Sequence, residues 1–599
     1  MPRKSDKFNA LIQWATSNGT IISPNITFQE ISSHNNGATY TAPTDGNTDL
    51  LSIPSSILIT SETAIDYFKP WGKEVSEKTI NVNSLLKLYL CHVCSTDTTN
   101  NEFSAYFNIL PTLTEIGSPY TWTPGDKELL KGTNLGNSLN ETLAQLIEEW
   151  WQLINLIPQD YQKPSQHFVN MKFYYEYKFY TSDDYYKYFQ EYDETNWTSF
   201  VNYLWASLVL KSRSFPAYLT NNLSFAKDSA MLVPVLDMLN HNPKARVVWG
   251  FEDGCFKFRN EDGGKVGEEV YNNYGRKGNE ELLLAYGFCF EENESDSVAL
   301  KIKIPEEMLA DIQKNGVKLP TTSDYTTSVV RDEDKKEEGE EAKVEDYKDG
   351  VLFFITKDHI PENLIQTFQY LVRNELEEES DEGMTLRMKF AGLNHLRAAL
   401  DQKKKMLKGG DIPKDSNQIH KYIKWYINSQ TKIYESSISK IKQIEKDLLK
   451  EHKSDLITLK NVYKKDIKFQ QSLLLSLGFP SYESIIENQF QDQCWLLWLM
   501  RCFNQDEYAN EMESEQYLPE WIQELFKKVQ QQTKIDPQVI VNYQPIYEML
   551  FPDISTAVPE IYGKGKWTVD EMIIAAKVLD LISFTRGKDQ ECILVKQDK

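Results

Sequence analysis

Residues 232–241 read LVPVLDMLNH, an apolar run that carries Asp237 and stops abruptly at Asn240 and His241. A short continuous apolar stretch bounded by polar residues predicts a strand buried on both faces. Buried polar side chains need hydrogen-bond partners, so such a strand delivers two demanding groups to one place. Taken alone, His241 reads as a structural residue held through a ring nitrogen, and Asn240 as a turn former. Two further polar interruptions lie nearby: SRSF at 212–215 and NNYGRKGNEELLLAYGF at 272–288. Singly, Arg213 reads as an ion-pair residue and Tyr286 as a packed aromatic whose hydroxyl finds a partner.

Working outward, the segments RVVWGF, CFKFRN, EVYNNY and ALKIKI have strand character, as do ITFQEI, ATYTA and LLSIPSSILIT near the N-terminus. Asn, Gly, Pro and Asp clusters separate them. The opening FNALIQWATSNG spaces Phe8, Leu11, Ile12 and Ala15 as a helix, with Gly19 at the expected C-terminal cap. Between about Asn83 and Leu210 the pattern turns helical, including a tyrosine-loaded run from Phe173 to Tyr192, so a helical segment interrupts one β unit. After Pro305 the composition shifts. Residues 331–349, RDEDKKEEGEEAKVEDYKD, read as a solvated linker, and a long helix is predicted from Tyr434 to Val462. The remainder reads as globular and mostly helical, and the fold class is α+β.

The chain has 599 residues, too many for one hydrophobic core. Its formal net charge of -23 disfavours binding to nucleic-acid backbones and favours encounters with basic partners. Seven cysteines, an odd number without a paired framework, fit a reducing compartment, cytosol or nucleus. Cys91-His92-Val93-Cys94 has half of a zinc-site spacing, but it lies in an apolar helical pattern and reads as buried thiols. The N-terminus lacks a signal-peptide core, and no stretch approaches the roughly 18 apolar residues of a membrane span. Neither GxxxxGK[ST], HExxH, GxSxG nor a strand-linked GxGxxG is present.

Taken together and in order, KSRSF, LVPVLDMLNH, EEVYNNYGRKGNEELLLAYGF and DSVALKIKIP resemble the SET-domain protein methyltransferases, in the branch typified by the RuBisCO large-subunit lysine methyltransferase. With the FxxLIxW opening helix and the ending ECILVK, the whole chain is similar to the fungal ribosomal lysine methyltransferases of that branch. The resemblance implies a β-rich SET domain over 1–310 with a helical insert at about 85–205. A helical substrate-binding region would follow at 311–470, and a mostly helical extension at 471–599. It further implies an S-adenosyl-L-methionine-dependent protein-lysine N-methyltransferase, monomeric, without a metal, acting on a large-subunit ribosomal protein. Another acceptor within the fold, or an inactive SET-fold binding protein, are the alternatives.

By the same resemblance, Asn240 and His241 contact the cofactor through a knot-like crossing, Arg213 holds its carboxylate, and Phe215 packs on it. Tyr286 is catalytic and also touches the cofactor. Asp237, Tyr274 and Val298 lie along the substrate-lysine channel. Near the N-terminus NNGATYTA matches a cofactor-contacting turn at Gly37 and Ala38, but Thr39 stands where relatives carry a second glycine. Val298 stands where some relatives place a second channel tyrosine, which bears on how many methyl groups are added.

Overall fold

The computed structural model describes residues 4–32, 35–71, 81–96, 101–159, 161–193, 195–222, 225–226, 228–321, 347–379, 383–407, 412, 417–508, 515–587 and 591–596. The chain divides into two units, the first mainly from Met1–Ala299 with Lys403–Ile433, the second mainly from Leu300–Pro320, Ala342–Gln402 and Tyr434–Lys599.

In the first unit the opening helix α1 (Lys4–Ser17) buries Phe8, Leu11 and Ala15 on one stripe, and Gly19 follows at φ +93°. The strands are β1 (Ile21–Ile22), β2 (Ile26–Ser32), β3 (Asn35–Tyr40), β4 (Thr48–Pro54), β5 (Ser214–Pro216), β6 (Ala230–Leu232), β7 (Val247–Glu252), β8 (Cys255–Asn260) and β9 (Glu269–Val270). They pair antiparallel in the orders β1-β4-β8-β7, β2-β3-β9 and β5-β6. In β8 the alternation is plain: Phe256 and Phe258 point into the core, while Lys257 and Arg259 reach Glu252 and Asp49. Each buried phenylalanine contributes about 2–3 kcal/mol.

The helices between the two β regions include α2 (Ser84–Thr96), α3 (Asn134–Ile154), α4 (His167–Glu176) and α5 (Phe200–Arg213), the last of which ends at the site. In α3 the side chains of Leu139, Leu143, Ile147, Trp150 and Ile154 recur at three and four residues and are buried. Helix α5 starts at Ser199, whose hydroxyl accepts from the Asn202 amide at 3.2 Å. It is apolar on nearly every side and correspondingly buried, and it ends at Arg213, running directly into β5. His92 on α2 is held at both ring nitrogens by the hydroxyls of Tyr67 and Tyr161, each at 2.8 Å, and Cys91 is buried.

The strand β10 (Ser297–Ile302) runs across the division at Leu300, and the second unit contains β11 (Val351–Thr356) and most of the C-terminal sequence. Helix α6 (Gln418–Glu451) contributes Ile423 and Tyr426 to the first unit's core. In the second unit Trp495, Trp498, Phe526, Ile574 and Val578 share a core with Val462 and Phe469, around a buried Arg501–Asp466 ion pair at 3.2 Å. Its strands β12 (Leu456–Thr458), β13 (Ser583–Arg586) and β14 (Glu591–Val595) pair in the order β12-β14-β13.

Several expectations change. The structure divides near residue 300, with residues 403–433 in the first unit, and residues after 471 share a core with those just before. Of segment 331–349, all but the last three residues lie outside the described residues. The helix predicted to Val462 begins earlier and stops at Glu451, because Leu456 and Ile457 pair with β14 and Thr458 caps a fresh helix through the Asn461 amide. LVPVLDML is not a strand beyond Leu232. Pro234 cannot donate to a ladder, and Val235 has φ +76°, which breaks extended geometry before a tight turn at Leu236–Met238. Among the described residues no helix is long and apolar enough to cross a membrane.

Candidate active site

Positive φ in a β-branched residue is costly, on the order of 1–3 kcal/mol, and persists only where the surroundings impose it. The turn that Val235 opens has that function: it aims Asp237 at the end of α5. Arg213 Nη1 donates to the Asp237 carbonyl at 3.0 Å and to its Oδ2 at 3.2 Å, and the Tyr106 hydroxyl donates to the same Oδ2 at 2.8 Å. Asp237 Oδ1 is buried and has no partner among the described residues. Burial pushes the Asp237 carboxyl above its ordinary value, against the pull of Arg213 and Tyr106. The Nε and Nη2 donors of Arg213 make no bond among the described residues, so one edge of the guanidinium remains available to an anion.

Beyond this ion pair the chain straightens and passes beside residues 272–274. The Asn272 amide donates to the Asn240 carbonyl at 2.8 Å, the Asn242 amide donates to the Asn272 carbonyl at 2.9 Å, and His241 pairs in parallel with Asn272. Asn240 Nδ2 donates to Glu269 Oε1 at 2.6 Å and to the Asn36 carbonyl at 3.2 Å. His241 Nδ1 accepts the Tyr274 amide at 3.1 Å, and the Tyr274 hydroxyl donates to the Leu239 carbonyl at 2.9 Å. The rings then stack in sequence: His241 on Tyr274 at 4.8 Å, and Tyr274 on Tyr286 at 5.0 Å, with interplanar angles of 15° and 16°. Burial, reinforced by Lys277, lowers the His241 imidazole to about 4, so it is neutral at physiological pH, as its accepting Nδ1 requires. Burial pushes the Tyr286 phenol well above the ordinary tyrosine range, leaving a protonated hydroxyl.

Tyr286 closes a single turn of π-helix, Leu282–Tyr286, followed by Gly287 at φ +74°. Such turns are rare and occur mostly at functional sites. The helical insert clamps it: Ser118 Oγ donates to the Leu284 carbonyl at 2.6 Å, and a Cβ on Gly287 would fall 1.9 Å from the Ile116 carbonyl oxygen. No side chain but hydrogen fits there.

Arg213, Asp237, Asn240, His241, Tyr274 and Tyr286 thus form one continuous constellation. Gly37 borders it, because a Cβ there would stand 3.1 Å from both Asn240 Nδ2 and Glu269 Oε1. Three other expected residues are buried. Ala38 is buried in the centre of the β2-β3-β9 sheet. Phe215, expected to pack on the cofactor, is enclosed by Trp249 and Phe256 at 5.0 and 5.9 Å in the core. Val298, expected in the channel, is fully buried on β10. Sequence reasoning misses Tyr106, Glu269 and Asn272. Glu269 and Asn272 sit inside EEVYNNY, whose polar residues around a buried Val270 are the available signal, whereas nothing around Tyr106 marks it.

The chain is 30% identical to ribosomal lysine N-methyltransferase 1 of Saccharomyces cerevisiae over 85% of its length and 88% of that protein's. It belongs to the SET-domain protein-lysine N-methyltransferases. Members take the methyl group from S-adenosylmethionine. The methyltransferase is also 26% identical to the yeast protein-lysine N-methyltransferase EFM1, across 98% of this chain and 97% of that one, and residues 297–452 match the EFM1 middle domain. Its fold is that of the SET-domain structure of LSMT bound to methyllysine and AdoHcy, with a TM-score of 0.52, 16% identity, and coverage of 81% of this chain and 99% of that one. The Rubisco LSMT structure bound to AdoMet agrees at a TM-score of 0.51 and 15% identity, covering 82% of this chain and 100% of that one.

Proposed function

We propose that this methyltransferase modifies lysine on a large-subunit ribosomal protein, using the constellation around Asn240–His241. The observation that carries the reading is the geometry of the stacked His241, Tyr274 and Tyr286 rings beside the half-free guanidinium of Arg213. The residues present fit S-adenosylmethionine: Arg213 would hold its carboxylate through Nε and Nη2, and the Asn240–His241 segment would border the rest. When bound, that cofactor supplies an electrophilic methyl group on a sulfonium.

Methyl transfer to an amine is an in-line displacement, so the enzyme's contribution is mainly alignment at near-attack distance. The stacked rings supply a rigid wall against which an aliphatic lysine chain can lie. The amine must be neutral, yet free lysine has a pKa of about 10.4, leaving on the order of one in a thousand deprotonated near pH 7. An apolar, tyrosine-lined channel lowers that value by desolvation. The Tyr286 hydroxyl, kept protonated by burial, orients the amine and stabilises charge that develops in the transition state. Asp237 Oδ1, buried and without a partner among the described residues, is an acceptor suited to an ammonium awaiting its proton loss.

The ribosomal acceptor draws support from the 30% identity to a ribosomal enzyme across nearly its whole length and from the charge of -23, which speeds encounters with basic proteins. The match to the EFM1 middle domain, and the 26% identity to a protein-lysine N-methyltransferase whose name specifies no ribosomal acceptor, keep a second reading, a lysine on a non-ribosomal protein. Purified enzyme with labelled S-adenosylmethionine, offered ribosomal proteins from cells lacking it, separates the two. Label on a large-subunit protein is expected; label only on non-ribosomal proteins supports the second reading.

A further inference from the structure

The face of α4 and the turn after it carries Phe168, Met171, Tyr175 and Phe179, spaced at three, four and four residues. Their exposures are 70%, 57%, 67% and 84%. The opposite face is packed: Phe173 and Tyr177 are buried, and Tyr174 stacks on Trp151 at 4.3 Å and 9°. The stripe is therefore held rigid, although soluble surfaces rarely align large apolar side chains in this way without a partner.

Alongside it, α3 borders a pocket of about 540 Å³ lined by Glu141, Gln145, Glu148 and Glu149. The hydroxyls of Tyr174 and Tyr177 donate to Glu148 at 2.8 and 2.5 Å, joining the pocket to the stripe. The Tyr177 hydroxyl holds the Glu148 carboxyl below its ordinary value, so it is anionic at neutral pH, with Lys178 at 3.8 Å on the exposed side, while Glu149 is matched by Lys87 at 2.5 Å. Across 134–193 the sequence has nine acidic residues against four lysines.

We propose that this face is a docking surface for a lysine- or arginine-rich segment of the protein substrate bearing apolar side chains, remote from the lysine being methylated. The apolar side chains cover the stripe and the cations meet the acidic pocket. The distance follows from α5: Phe200 packs on Phe173 and Trp150 at one end, and Arg213 ends the other. A 14-residue helix spans about 20 Å at about 1.5 Å per residue, so an extended chain needs at least about six residues between docked segment and target. The proposal rests on the reading that the acceptor is a basic protein.

The test uses the full chain and a fluorescein-labelled peptide with lysine and leucine on opposite helical faces, read by anisotropy. The Phe168→Ser/Met171→Ser/Phe179→Ser variant, altered only at exposed positions, is expected to weaken binding at least about tenfold. Glu141→Gln/Glu148→Gln is expected to weaken it and flatten its salt dependence. Methylation of a short acceptor peptide is unchanged in both variants, while KM for the intact protein substrate rises. Equal binding of a glutamate–leucine peptide, unchanged affinity in both variants, or a wild-type dimer that the serine variant dissolves would each overturn the proposal. Failure to label ribosomal proteins bears on the acceptor alone, since the binding arm does not use them.

Discussion

Tyr286 meets Tyr274 through ring stacking, and its hydroxyl makes no hydrogen bond among the described residues. Removing that oxygen therefore leaves packing untouched while removing the group proposed to meet the amine. Tyr286→Phe is expected to retain the wild-type melting temperature and to lose on the order of 10²-fold or more in kcat, measured under saturating cofactor. His241 makes a pH prediction. Its imidazole titrates near about 6.5 in an unfolded chain and at about 4 in the fold, so the unfolded state binds more protons between those values. The stability it contributes is complete above about pH 6.5 and is lost as pH falls toward 4. Urea midpoints at about pH 7.5 and pH 5 should differ less in His241→Gln than in wild type. His92, lowered to about 4 by burial, adds in the same direction and remains in that variant.

At the scale of elements, the site is a meeting of one buried helix end, one tight turn and one π-helical turn. The insert's role is to hold the last of these. Gly287→Ala is expected to destabilise by on the order of 2–3 kcal/mol and to abolish most activity, because φ +74° and the Ile116 carbonyl both refuse a methyl group. Chemical denaturation together with a methylation assay checks it. A strand reading of LVPVLDML fails for a related reason: local composition favours an extended chain, but Val235 turns so that Asp237 can reach Arg213 and Tyr106. Removing Arg213 alone would leave Asp237 buried without its cation, which costs about 3–5 kcal/mol in such pairs.

For the whole molecule, the charge of -23 acts on encounter, not on fold. Raising ionic strength from about 0.05 M to about 0.5 M should lower kcat/KM for a basic protein substrate several-fold while leaving kcat nearly constant, as initial rates would show. A rise in kcat/KM with salt would remove electrostatic steering from the account. The division into two units also belongs to this scale. Composition marks a change after Pro305, close to the observed division, but the break expected near 470 has no counterpart, because Val462 and Phe469 are buried with Trp495 and Trp498 in one core.

The sequence by itself determined the α+β class, the helical insert, and the polar motifs at 212–215, 237–241 and 272–288, since periodicity and buried polar residues are written locally. Singly, Arg213, Asn240, His241 and Tyr286 read as structural residues; only the resemblance of the ordered motifs assigned them, with Asp237 and Tyr274, to one site, and the structure brings the six together. Tertiary structure alone decided that Phe215 and Val298 are core residues, that Tyr106 from a distant helix completes the Asp237 contacts, and that Gly287 must lack a side chain. Each of those depends on which atoms arrive from elsewhere in the chain, and a pairing across 131 residues, as between Tyr106 and Asp237, leaves no periodic trace in either segment.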